Sequence, residues 1–392
     1  MTTVTKVAAP GAMRLAQLPP LALYVHIPWC IRKCPYCDFN SHEAKGEAPE
    51  KRYVEALVAD LESTLPRVWG RRVHSVFFGG GTPSLFAPES IDAILAAARA
   101  RLPIEADAEV TLEANPGTFE AQKFRDFRAA GVNRLSIGIQ SFDDRFLKAL
   151  GRVHDAAEAR RAVEIGLAAF DNVNLDLMYA LPGQSIEGAR ADMAAAIAFR
   201  PQHVSAYHLT IEPNTYFAAH PPVLPDDDAA ADMQEAIEAD LASAGYGNYE
   251  TSAFAQPGRR CRHNLNYWQF GDYICIGAGA HGKISFRDRI VREMRWKQPK
   301  AWMDAALAGD GVQESAEVKR EALAFEFMMN ALRLADGVEI AMFAERTGLN
   351  VTAVEAQLTR AERLGLLERD HVRLKPTAKG RRFLNDLLQV FL

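Results

Sequence analysis

Between positions 21 and 211 the apolar residues follow two alternating patterns. Short β-rich runs read LALYVHIP from Leu21, VHSVFFGG from Val73, AEVTLEAN from Ala108, RLSIGIQSF from Arg134, NVNLDLMYALPG from Asn172 and HVSAYHLTI from His203. Between them lie segments with apolar residues three and four apart, such as YVEALVADLESTL from Tyr53 and SIDAILAAARARL from Ser90. This alternation predicts six βα units around a parallel sheet whose faces the helices cover. Six units are fewer than the eight of a closed TIM barrel, which leaves an incomplete barrel or a doubly wound sheet. Polar motifs recur at the C-terminal ends of all six strands, and a curved sheet focuses six such ends on one cavity. The expected α/β architecture is therefore a partial (βα)6 TIM barrel over residues 21–245.

Downstream the pattern changes. PPVLPDDDAAADMQ, from Pro221 to Gln234, reads as a lid or connector before an Ala-rich helix ending near Gly245. Residues 246–316 alternate turns with β-like runs such as YICIG and KISF, predicting a β-rich extension and connector. In 317–392, helical patterns run through FEFMMNALRL, GVEIAMFAERTG and TAVEAQLTRAERLGL. LLERDHVRLKPT then reads as a β-wing and GRRFLNDLLQVFL as a closing helix, a mainly helical, winged-helix-like domain. Residues 1–20 hold Lys6 and Arg14 but no continuous apolar h-region, so a flexible N-terminal tail is expected in place of a secretory signal. No apolar run reaches the roughly 20 residues of a membrane helix, and a soluble, cytoplasmic protein is expected.

Composition narrows the function classes. The 392 residues are 48% hydrophobic and 24% charged, as in an ordinary globular protein of two or three domains. A net charge of −5 gives no support to a nucleic-acid-coating or polybasic membrane role. A DNA-reading wing would stand on Arg369, Arg373, Lys375, Lys379, Arg381 and Arg382. From Glu317 onward, however, 12 basic residues meet 11 acidic ones, and no stable nucleic-acid binding is expected. Five cysteines are too few for a disulfide framework, and three of them lie within eight positions.

Those three are Cys30, Cys34 and Cys37 of HIPWCIRKCPYCDFNSH, directly after the first strand in C-x3-C-x2-C spacing. Pro35 discourages a helix there, so the segment wraps as a loop that directs its sulfurs inward. Three thiolates suit a [4Fe–4S] cluster with one iron left open. Zinc with His26 or His42 as fourth ligand, or three packed thiols, are the alternatives. After the second strand, Gly79-Gly80-Gly81-Thr82-Pro83 either lets a ligand approach the backbone or serves as a tight turn. Glu113, Gln140 and Asp176 are polar groups in apolar strand contexts, where they need a ligand or core hydrogen bonds. Arg152 offers a fork suited to a carboxylate or to a surface ion pair.

Together these motifs resemble the radical SAM superfamily, specifically its oxygen-independent coproporphyrinogen oxidase branch, over nearly the whole chain from Leu21. The resemblance implies that Cys30, Cys34 and Cys37 hold a [4Fe–4S] cluster whose free iron chelates S-adenosylmethionine. It also implies contacts with that cofactor at Tyr24, Tyr36, Gly80, Gly81, Thr82, Glu113, Gln140, Arg152, Asp176 and Ala206. The oxidases of the branch carry C-x3-C-x2-C-x-C, whereas the position two after Cys37 is Phe39 here. The cysteine motif and HNLNYW look instead like the HemW-type haem chaperones, with His263, Asn264, Tyr267 and Trp268 matching an H-N-x-x-Y-W signature. That resemblance implies haem as cargo, transfer to a haem-accepting respiratory protein, and use of the cluster and S-adenosylmethionine for folding, oligomerisation or gating. A peripheral or transient membrane-protein contact and a homodimer are compatible with it. The alternative is an oxidase that cleaves S-adenosylmethionine to a 5′-deoxyadenosyl radical and decarboxylates coproporphyrinogen III.

An imidazole can ligate haem iron, and Tyr or Trp can pack on the porphyrin face. His263 is thus either an axial ligand or a structural histidine capping a turn, and His281 in GAGAHG is the second candidate ligand. Arg259, Arg260 and Arg262 suit propionates or a solvated loop. IGAGAHG satisfies G-x-G-x-x-G without the βαβ context of a dinucleotide site and reads as a tight loop at the cavity edge. Cys261 and Cys275 read as packing residues.

Overall fold

In the computed structural model, which describes residues 13–118 and 121–392, the two periodicities sort the side chains into layers. Strands β1 (Leu21–Ile27), β2 (Val73–Gly80), β3 (Ile104–Ala114), β4 (Arg134–Gln140), β5 (Val173–Tyr179) and β6 (His203–His208) run parallel, neighbours in sequence order. Strand β3 begins before the expected Ala108, because exposed Ala106 and Asp107 carry no apolar alternation. Leu21, Leu23, Val25 and Ile27 of β1 face outward into one core with the buried sides of α1 (Glu50–Val68) and α2 (Pro88–Arg101). Each such aliphatic side chain contributes about 1.5–3 kcal/mol by leaving water. The alternate residues face inward, so Tyr24, Phe77, Glu113, Ser136, Asp176 and Ser205 fill the interior of the curved sheet. Helices α3 (Ala121–Ala130), α4 (Ala156–Ala169), α5 (Ile186–Ala198) and α6 (Asp227–Ser243) complete the outer layer.

The stretch after Gly245 supplies both flanks of this sheet. On one side, β7 (Gly247–Glu250) and β8 (Ala253–Ala255) continue antiparallel beyond β6. On the other, β9 (Asp272–Ile276) pairs parallel with β1, and β10 (His281–Ser285), β11 (Ile290–Arg295) and β12 (Val312–Glu317) follow as an antiparallel meander. The result is one twelve-stranded open sheet. At the β7 edge, Glu250 bridges Leu334 and Ala335 N–H donates to Tyr249 O at 3.0 Å. At the β12 edge, Gln313 to Glu317 are all exposed. Helix α7 (Arg262–Trp268) precedes β9, and α8 (Pro299–Leu307), between β11 and β12, packs on α1.

A second core holds α9 (Leu323–Ala331), α10 (Ile340–Thr347) and α11 (Glu355–Arg363) beside a three-stranded wing of Val338–Glu339, Arg373–Pro376 and Leu367–Arg369. Of the expected tail, residues 1–12 lie outside the described residues, and the rest departs from expectation. Leu15 is buried, its N–H donating to Arg287 O at 2.8 Å, and Met13 packs on the second core. Among the described residues no helix is long and apolar enough to cross a membrane.

A buried ionic cluster ties α1 to the meander. Asp60 accepts from Arg295 Nε at 3.0 Å, from Trp302 Nε1 at 3.3 Å and from Gly277 N at 3.3 Å. Arg295 also donates to Glu293 and Thr64. Removing one partner of such a pair leaves an uncompensated buried charge, so Asp60→Ala should cost about 3–5 kcal/mol in urea unfolding. Arg52→Ala, which breaks the exposed bridge to Asp304, should cost less than about 1 kcal/mol. Equal losses would contradict this account.

Candidate functional site

The C-terminal ends of the six barrel strands open on a cavity of about 330 Å³, and the loop after β1 forms one of its walls. The loop is pinned at its base by parallel pairing of Trp29–Cys30 with His42–Glu43. Lys33 Nζ closes its tip by donating to Phe39 O and Ser41 O, both at 3.2 Å. Asn40 Nδ2 anchors it to the β9–β10 turn through Ala278 O and to Lys297 O, both at 2.9 Å. Gly277 in that turn has φ +109°, and a Cβ there would collide with His26 O, so only glycine admits the close approach. Cys30, Cys34 and Cys37 all line the cavity. Among the described residues no three His, Cys, Asp or Glu side chains converge tightly enough for a single metal ion. The thiols instead stand around a space.

The zinc alternative loses its fourth ligand, because neither His26 nor His42 lines this space. His26 receives the Tyr24 hydroxyl at Nδ1 (3.0 Å) and donates from Nε2 to Asn40 O (3.0 Å). Burial holds its pKa down to about 4, so it is a neutral brace under the loop. The glycine turn departs from expectation in its reason. A Cβ on Gly80 would lie 2.5 Å from the His26 ring, and one on Gly81 2.5 Å from Trp29 O. The missing side chains let β2 pack on the end of β1, and Gly80 and Gly81 still reach the cavity wall.

Tyr36, Thr82, Glu113, Gln140, Arg152 and Asp176 share the lining with the thiols. Arg152 donates to Asn115 Oδ1 at 2.6 Å, Gly138 O at 2.8 Å and Cys34 Sγ at 3.5 Å, while its buried Nε has no partner. Asn115 in turn donates to Thr82 Oγ1 at 2.8 Å. Gln140 sits at φ +66°, a strained left-handed conformation for a non-glycine residue. Burial, then the neighbouring Asp176 charge, pushes the Glu113 carboxyl up to about 8, although Gly80 N–H donates to it at 3.3 Å. Burial also raises Asp176, against hydrogen bonds from Ser136 (2.8 Å) and Asn174 (2.9 Å). Burial pushes the Cys30 thiol up to about 11, so ionising it calls for a compensating cation.

Two expected residues do not line the cavity. Tyr24 lies beneath it on His26, and Ala206 faces the helices in the outer core. The cavity wall at β6 is Tyr207, which sequence reasoning missed although alternation about Ala206 identifies it. Asn115 and Gly138 were missed as well. Phe39, 61% exposed, stands at the cavity rim.

HNLNYW forms α7 and closes the opposite end of the barrel. Glu109, pointing inward from β3, accepts the Arg262 and His263 N–H groups, both at 3.1 Å. His263 is buried against Phe77, its Nδ1 3.1 Å from Ser75 Oγ and its Nε2 3.3 Å from Tyr267 Oη. Burial holds its pKa down to about 3. Both ring nitrogens are engaged inside the fold. Trp268 packs in the second core, and Asn264 is half-buried in the first turn. Arg260 pairs with Asp336, and Arg262 with Glu105 and Asp107. His281 alone of the two candidate histidines is exposed.

Glu113 gives a pH test. Its folded pKa lies above the ordinary value of about 4.3, so its contribution is fully present below that value and is lost as pH rises through about 8. The melting temperature of ligand-free protein should fall between pH 5 and 8, and Glu113→Gln should flatten that fall. Parallel curves for the two proteins would contradict it.

Residues 24–195 match the Radical SAM superfamily and residues 318–383 the HemN C-terminal domain. The chain is 49% identical over 383 residues to "Heme chaperone HemW" of Escherichia coli (strain K12), covering 96% of this chain and 100% of that protein. It is 36% identical over 385 residues to the Mus musculus "Radical S-adenosyl methionine domain-containing protein 1, mitochondrial", covering 95% and 87%. The solved structure of coproporphyrinogen III oxidase (HemN) from Escherichia coli superposes with a TM-score of 0.81 at 22% identity, over 95% of this chain and 90% of that one, and so shares the fold. From the cysteine loop to the second core, the chain belongs to the HemW family of the radical SAM superfamily.

Proposed function

We propose that the protein carries haem and delivers it to a haem-requiring respiratory protein, with a [4Fe–4S] cluster and S-adenosylmethionine bound in the barrel mouth. The observation that carries this reading is the cavity lined by three thiols together with Glu113, Asp176 and Arg152, in a chain nearly half identical to a heme chaperone. The donor set fits the cluster. Cys30, Cys34 and Cys37 would hold three irons, and the fourth would stay free for the cofactor. When bound, the cluster supplies one-electron reduction at that open corner.

The chain's own groups divide the remaining work. Tyr36, Gly80, Gly81, Thr82, Gln140, Arg152, Glu113 and Asp176 would line the cofactor, and Tyr24 and Ala206 would act from behind the wall. Arg152, with an unpartnered buried Nε, is suited to a carboxylate. Glu113 and Asp176 can accept from ammonium or hydroxyl groups, and a neutral Glu113 gives up its proton when a cation arrives. Cytoplasmic residence, a second copy as partner and transient contact with a membrane-bound acceptor accompany this reading. The alternative is coproporphyrinogen III oxidation, supported by the shared fold. Phe39, an apolar side chain at the position where the oxidases carry a fourth cysteine, favours the carrier.

Anaerobic reconstitution should load about four irons and four sulfides. Cys34→Ala should lose most of both; tight stoichiometric zinc in their place would sink the cluster assignment. With S-adenosylmethionine and a reductant, the reconstituted protein should bind about one haem per chain and leave coproporphyrinogen III unconverted. Cys30→Ala should impair haem transfer more than haem binding. Sustained formation of protoporphyrinogen IX would replace the carrier with the oxidase.

A further inference from the structure

The burial of His263 leaves open where the cargo sits. The sheet itself offers a second surface, on the face of the β9–β12 flank turned away from α1. Register puts Tyr273 opposite Lys283, Lys283 opposite Arg292 and His281 opposite Met294. By strand alternation these side chains share one face, whereas Glu293 and Arg295 point to the ionic cluster on α1. At one end of the face a cavity of about 380 Å³ opens beneath α9, lined by Tyr267, Tyr273, Lys283, Arg292, Phe325 and Met329. At the other end His281 is exposed and Met294 half-buried.

We propose that haem lies on this face, with its iron ligated by His281 and one edge of its ring in the cavity beneath α9. The assignment rests on the carrier reading and adds the place and the ligand. Two residues along β10 separate Lys283, at the cavity wall, from His281, about 6.8 Å in an antiparallel strand. That span is comparable to the distance from a porphyrin's iron to its rim. Tyr267, Tyr273 and Phe325 supply aromatic faces and Met329 a thioether, all suited to an apolar ring. Burial, then the nearby Lys297 and Arg292 charges, disfavours the protonated form of His281 against the opposing Glu314 carboxylate. Arg292 is already paired with Glu326 at 2.6 Å on the cavity wall, so Lys297 is the cation offered to a propionate. A neutral imidazole is the form that binds iron. Lys283 is not part of the charge match, because Phe270 O, Gly271 O and Asp272 already take its Nζ. His281 and Met294 stand on the same face and cannot occupy opposite axial positions, so Met294 packs on the ring.

Haem titrated into full-length reconstituted protein and followed by absorbance tests the placement. Wild type should saturate near one equivalent. His281→Ala should bind about tenfold more weakly and lose the imidazole-ligated Soret band, and added imidazole should restore that band. Ala322→Trp, at the cavity wall, should weaken binding without changing the ligand spectrum. His263→Ala should keep the band in whatever fraction remains folded. A saturable wild type with unchanged affinity and spectrum in His281→Ala overturns the placement and leaves the carrier reading standing. A wild type that does not saturate removes the carrier reading itself.

Discussion

A barrel that stops at six parallel strands cannot fill its interior with side chains from its own strands alone, and this fold meets that constraint with a hydrogen-bonded column of polar groups, although Thr111 Oγ1 and Arg134 Nε are left without a partner. The inward residues form a connected column. Glu109 receives the backbone of α7, Tyr249 receives Cys261 N–H at 3.2 Å, and His203 links Tyr249 to Asn174 through contacts of 2.8 and 2.6 Å. Asn174 and Ser136 then hold Asp176 at the cavity floor. A buried polar group without a partner costs about 1–3 kcal/mol, so each member of the column constrains the next. HNLNYW therefore supports the cavity from the far end of the barrel. Its helix also reaches the second core through Leu265 and Trp268.

The cysteine loop depends on the same economy of partners. It has two-residue pairing at its base and no helix, yet its backbone is held by Lys33, His26 and Asn40. Asn40 reaches the β9–β10 turn, and Asp60 and Tyr53 of α1 hold that turn from behind, through Gly277 N and Ala278 N. The loop thus inherits its position from the meander that flanks β1 as much as from β1 itself.

Much of this was legible in the order of residues. Alternation gave the six strands and their inward faces, and the C-x3-C-x2-C spacing located the loop. Side chains one position from a recognised residue, such as Tyr207 beside Ala206, follow from the same alternation once the strand is oriented. The pairing of β9 with β1 was not legible, because Tyr24 and Cys275 are brought together only by the completed sheet. The surroundings of His263 were not legible for a related reason. A histidine between a basic segment and two aromatics has the composition of a ligand site, and only its contacts with Ser75, Phe77 and Tyr267 show that it is spoken for.

Leaving the barrel open creates two strand edges, and the protein treats them differently. The β7 edge is met by Leu334 and Ala335 of the second core. The β12 edge is left bare, but its sequence, VQESAE, puts Glu314 and Glu317 on an exposed strand with few apolar side chains. Like charges on a bare edge repel an identical strand and discourage edge-to-edge growth of the sheet. Fibre-like association of identical chains is thus disfavoured by a few carboxylates.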